Sequence, residues 1–62
     1  MSDHLMNVRE VSELLQLRPQ TIYCLVMRRR IPHLKIGGAL RFDPVEIRDF
    51  IEDKKQPIMQ ES

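Results

Sequence analysis

The span Leu14–Phe42 holds six cationic side chains, Arg18, Arg28, Arg29, Arg30, Lys35 and Arg41, and no aspartate or glutamate. The rest of the 62-residue chain carries the other four cations, Arg9, Arg48, Lys54 and Lys55, against all nine acids. A formal net charge of +1 therefore conceals a middle of +6 between ends that sum to −5. Guanidinium groups present a planar fork of donors that matches phosphate oxygens. A dense, acid-free set of them suits a polyanionic partner. Within "LRPQTIYCLVMRRRIP" (Leu17–Pro32), one arginine stands at the front and three in a row at the back. Cations at a helix C-terminus complement its dipole, but one is enough for that. Three, with Lys35 and Arg41 following, point to phosphate contact, which positions a protein rather than reads sequence.

Between those arginines lie side chains able to read base edges. Glutamine pairs in two-pronged fashion with adenine, and threonine or cysteine contacts the thymine methyl. Gln20, Thr21, Cys24 and Arg28 fall on the side of the stretch away from Ile22, Leu25 and Val26, where such contacts are made. A merely solvated polar face is the competing interpretation, and the acid-free span weighs against it. Tyr23 stands between two roles, its hydroxyl on a phosphate or its ring packed inward.

Other chemistries find little support. No nucleophile stands with a base, no glycine-rich phosphate loop is present, and no carboxylates cluster in an apolar setting; an enzyme is not expected. His4 and His33 have no partner at metal-ligand spacing. No metal, cofactor or small-molecule substrate is implied. The single cysteine, Cys24, cannot form an intrachain disulfide, and a reduced thiol in a reducing compartment is expected. No apolar run approaches the ~20 residues of a membrane span, and "MSDHLMN" lacks a signal peptide's basic and apolar regions, so a cytosolic protein is expected. Hydrophobic content is 42% and charged content 31%, ordinary for a globular domain. A chain this short buries only about 60% of its unfolded surface, which leaves no core to spare for a deep catalytic cleft.

Short helices and a hairpin must position these residues. Asn7 and Glu10 have capping-box spacing, and Val8, Val11, Leu14 and Leu15 recur at helical steps, predicting a helix over about 8–16. Pro19 suits a first helical position. Ile22, Leu25 and Val26 supply the buried stripe of a second helix over about 19–28, and Pro32 blocks its continuation. In "HLKIGGALRF", Leu34 and Ile36, then Leu40 and Phe42, alternate with polar residues around Gly37–Gly38. That pattern predicts a β-hairpin with one apolar face and one basic face carrying Lys35 and Arg41. Asp43, Pro44 and Glu46 open a third helix ending near Lys55, with Ile47, Phe50 and Ile51 inward and its other faces acidic. The expected fold is α+β and mostly helical, a small winged helix-turn-helix. Residues 1–6 form an N-terminal segment, 7–55 the winged domain, and 56–62 a flexible C-terminal tail.

Over Leu5 to Glu52 the chain resembles the excisionase/AlpA-type domains, a compact branch of the MerR-like winged helix-turn-helix group. The matching pieces are "LMNVREVSELLQL", "QTIY", "IPHLKIGGALRF" and "PVEIRDFI", in that order. The resemblance implies that the second helix enters the major groove of double-stranded DNA and that the hairpin wing, including Gly37 and Gly38, approaches the backbone or minor groove. It also implies a recombination directionality factor or a short transcriptional regulator, working with a recombinase or integrase or by self-association on DNA. Two positions depart from the family pattern. Arg18 stands where a small polar N-cap is usual, which weakens the cap by about 1 kcal/mol. Arg29 stands where glycine usually follows the second helix, which costs roughly 1 kcal/mol if the left-handed backbone is retained. The alternative function is a protein-interaction adaptor that uses the acidic third helix.

Overall fold

The computed structural model describes residues 4–55 and contains three helices and a two-stranded hairpin: α1 (Val8–Leu15), α2 (Pro19–Met27), β1 (Leu34–Ile36), β2 (Ala39–Arg41) and α3 (Pro44–Lys54). This is the expected α+β winged helix-turn-helix plan; the tail at 56–62 lies outside the described residues. The elements start where the sequence supplies caps. Asn7 accepts the Glu10 N–H at 2.8 Å, and the Glu10 carboxylate accepts the Asn7 N–H at 2.9 Å, closing a complete capping box. The Asp43 carboxylate accepts the Val45 N–H at 2.9 Å, with Pro44 entering α3.

Helix ends are built without glycine. Gln16 follows α1 at φ 57° and Arg29 follows α2 at φ 56°, both left-handed. Beyond α1, the Leu17 N–H donates to Ser12 O (2.9 Å) and the Gln16 N–H to Glu13 O (3.3 Å). Beyond α2, the Arg30 N–H donates to Leu25 O (2.8 Å) and the Arg29 N–H to Val26 O (3.0 Å). Each pair is the 6→1 and 5→2 bonding of a Schellman motif, which satisfies carbonyls the helix leaves open. The chain therefore leaves α2 through left-handed backbone at Arg29, a conformation that glycine adopts at no steric cost.

The core draws one anchor from almost every element: Val11 from α1, Ile22 from α2, Ile31 from the connection, Phe42 after β2 and Ile47 from α3. Met6, Val8, Leu15, Leu25, Val26, Leu40, Phe50 and Ile51 pack around them. Met6 also joins the hairpin. It exchanges two 2.8 Å backbone hydrogen bonds with Phe42, extending β2 past its end and tying the segment before α1 into the fold. Leu14 departs from expectation, at 53% exposed. It lies about 120° from Val8 around the helix, whereas Ser12 lies about 40° away. Ser12 is accordingly buried, its hydroxyl donating to Arg9 O at 2.7 Å.

The hairpin corrects a second expectation. Its two-residue turn, Gly37 at φ 58° and Gly38 at φ 86°, pairs Ile36 with Ala39, Lys35 with Leu40 and Leu34 with Arg41. Directly paired residues share a face. Leu34, Ile36, Ala39 and Arg41 therefore lie on one face, and Lys35 and Leu40 on the other. Only Leu40 and Phe42 turn their side chains toward the core; Leu34 and Ile36 are 36% and 54% exposed. No purely basic face exists, because a two-residue turn shifts the odd–even phase between the strands.

Candidate nucleic-acid interface

Nine residues of α2 set the geometry of the basic middle. With Ile22 buried and Leu25 and Val26 partly so, Gln20, Thr21, Tyr23, Cys24 and Arg28 are all exposed. Thr21, Cys24, Arg28 and Arg30 come together with Leu25 around one shallow concavity of about 340 Å³. Tyr23 is 52% exposed and sits on the opposite flank of the outward face, so its ring is not a core element. Arg18 occupies the N-cap of α2 in extended backbone (φ −70°, ψ 148°), and no side chain caps the helix. Its carbonyl accepts the Thr21 and Ile22 N–H groups at 2.9 and 3.2 Å. A cation at a helix N-terminus opposes the helix dipole, a cost that an anion bound there would offset.

Among the described residues, no cation of the middle span stands in an ion pair. The two ion pairs among the described residues, Arg9 with Glu13 (3.7 Å) and Lys55 with Glu52 (3.0 Å), both lie outside it. Arg28, Arg29, Arg30 and Lys35 are exposed; Arg41 is half-buried and donates from Nη1 to the Leu40 carbonyl at 2.7 Å. Lys35 and Arg41 therefore sit on opposite hairpin faces. Gly37 and Gly38 form the tip, with no atom within 4 Å of where either Cβ would stand. Their positive φ angles satisfy the turn, which requires left-handed backbone at both central residues.

One exposed residue escaped the sequence reading. Met27 ends α2 and is 83% exposed. It lies seven residues after Gln20 and three after Cys24, so it falls within about 20° of Gln20 around the helix. Extending the wheel by one residue past Val26 would have found it; its apolar type hid it among core candidates.

Glu46, Asp49 and Asp53 of α3 line a second concavity, of about 450 Å³, with Pro32 and Phe50; none of its lining residues belongs to α2. Among the described residues, no group of three His, Cys, Asp or Glu side chains could hold a metal ion, and no helix is long and apolar enough to cross a membrane.

A family signature described as "Helix-turn-helix domain" matches residues 5–55, spanning both helices of the motif, the hairpin and α3. The chain belongs to this helix-turn-helix family. The domain is also similar to an excisionase of Streptomyces ambofaciens, 35% identical over 54 residues that cover 87% of each chain. No solved structure matches it significantly. The helix-turn-helix domain is of excisionase/AlpA type, and it is a small DNA-binding protein.

Proposed function

We propose that the domain binds double-stranded DNA sequence-specifically, with α2 in the major groove and the hairpin against the backbone or minor groove, as an excisionase-like recombination directionality factor. Gln20, Thr21, Cys24 and Arg28 read base edges. Arg18, Arg29, Arg30, Lys35, Arg41 and the Tyr23 hydroxyl contact phosphates, with Gly37 and Gly38 letting the wing backbone approach closely. The observation that carries this reading is the exposed, acid-free outward face of α2, its arginines unpaired among the described residues. The excisionase relative supports the recombination role over that of a short transcriptional regulator. A module of this size buries only ~600–1,000 Å² on DNA, so occupancy calls for a recombinase partner or several copies. The acidic concavity of α3 offers such a contact a site away from α2.

That same concavity supports a second reading, a protein-interaction adaptor whose binding depends on Glu46, Asp49 and Asp53 and survives loss of the α2 arginines.

Fluorescence-polarisation titration of a random duplex pool decides between them, with wild type and Arg28→Ala/Arg30→Ala compared at low and moderate salt. Four to six phosphate contacts give log K against log[salt] a slope of about −4 to −5, and losing the Arg30 contact makes it shallower by ~0.9. A folded protein that binds no duplex at low salt removes the DNA reading and leaves the adaptor.

A further inference from the structure

We infer that Met27 is a specificity-determining residue that reads thymine through its C5 methyl group. The inference rests on the DNA-binding reading above and adds to it a residue and the base that it recognises.

Met27 is the most exposed large hydrophobic side chain among the described residues, at 83%. It stands where the chain is most polar, directly before Arg28, Arg29 and Arg30. Met27 lies one turn beyond Tyr23 and Cys24 on the outward side of the helix. Gln20, Cys24 and Met27 then form a strip along the centre of the outward face, opposite Ile22. A long apolar side chain set among exposed cations matches a partner that is anionic overall and apolar at one point. The major groove supplies that combination: phosphates along both edges, and the thymine methyl as the apolar group on a base edge. Methionine is unbranched and adaptable, and its thioether packs against such a group without a fixed geometry. Cys24, one turn earlier, continues the apolar strip toward Gln20.

The strip also has a spacing. Gln20 and Met27 are separated by about 10 Å along the helix axis. With α2 lying along the groove, that is at most about three base-pair steps, since each step rises 3.4 Å along the DNA axis and covers more than that along the groove. An adenine paired by Gln20 and a thymine met by Met27 therefore stand no more than about three positions apart.

The test begins by enriching a preferred site from a random duplex pool with the wild-type protein. Each dT of that site is then replaced singly by dU, which removes the C5 methyl and leaves every hydrogen-bonding group in place. Wild type and Met27→Ala are titrated on each duplex, with melting curves establishing that the variant is folded. For wild type, at least one replacement lowers affinity about four-fold, the effect of withdrawing one buried methyl-sized group. Met27→Ala binds the thymine site weaker by at least that factor and is indifferent to dU at that position. Wild-type indifference to every replacement overturns the inference, as does full retention of the dU sensitivity in Met27→Ala, and both leave DNA binding standing. Failure of the folded wild type to enrich any duplex removes the DNA reading and the role of Met27 together.

Discussion

Replacing Arg29 with glycine should stabilise the domain while weakening its hold on DNA. Arg29 occupies left-handed backbone at φ 56°, and its N–H and that of Arg30 complete the Schellman motif at 3.0 and 2.8 Å. The left-handed conformation costs a side-chain-bearing residue roughly 1–2 kcal/mol. Glycine relieves that cost but loses about 0.4–1 kcal/mol through the greater freedom of its unfolded chain. The net expectation is stabilisation of about 0.5–1 kcal/mol, a rise in melting temperature of about 2–8 °C for a domain this small. Arg29→Ala is the necessary control, because it removes the same charge without relieving the backbone. Thermal melts by circular dichroism should rank Arg29→Gly above wild type and Arg29→Ala at or below it. On DNA, both variants should lose one phosphate contact, making the salt slope shallower by ~0.9. If Arg29→Gly melts no higher than Arg29→Ala, the left-handed exit from α2 is not the conformation in solution. If the salt slope is unchanged in both, Arg29 was not retained at this strained position for DNA.

Two further substitutions test the frame that holds the interface. Asn7→Ala removes one half of the capping box and leaves Glu10 without its reciprocal partner; it should cost about 1 kcal/mol, lowering the melting temperature by about 4–8 °C in the same melts. Phe42→Ala empties the largest fully buried side chain, which also carries the backbone bridge to Met6. The expected cost of about 3–5 kcal/mol matches much of a small domain's stability, so amide spectra near room temperature should collapse toward unfolded dispersion; a well-dispersed spectrum would contradict the central role given to Phe42.

What the sequence disclosed were the features that depend on local chemistry. Asn7 with Glu10, Pro19, and Asp43 with Pro44 each mark a helix start through a side chain's own hydrogen bonds or ring, and the three helices begin there. Gly37–Gly38 located the turn for the same reason. The features that escaped depend on phase or on distant contacts. Leu34 and Ile36 look core-bound when Leu40 and Phe42 are assigned the same phase, yet the turn length reverses the phase of one strand. Met6 lies far from Phe42 in sequence, and nothing local announces their pairing. Gln16 is not a residue type that advertises left-handed backbone, so the end of α1 was legible only to within a residue. Exposure of the candidate α2 residues followed directly from placing Ile22 inward, whereas Met27 was obscured by its apolar character.

Exposed cations and the polar side chains Gln20, Thr21 and Cys24 lie on and around α2, and carboxylates of α3 line a concavity with Pro32 and Phe50. An arginine in left-handed backbone and another at an uncapped helix N-terminus break local rules at the surface that would meet DNA, the pattern expected where function outweighs stability.

The most direct test of that surface is a residue-resolved one. The isotope-labelled protein is titrated with a short duplex carrying its enriched site, and backbone amide shifts are followed by NMR. The account requires the largest changes at Arg18, Gln20, Thr21, Cys24, Met27–Arg30 and the Gly37–Gly38 turn, with α3 at Glu46, Asp49 and Asp53 little changed. Shifts concentrated on α3, with α2 and the hairpin turn unmoved, would contradict it.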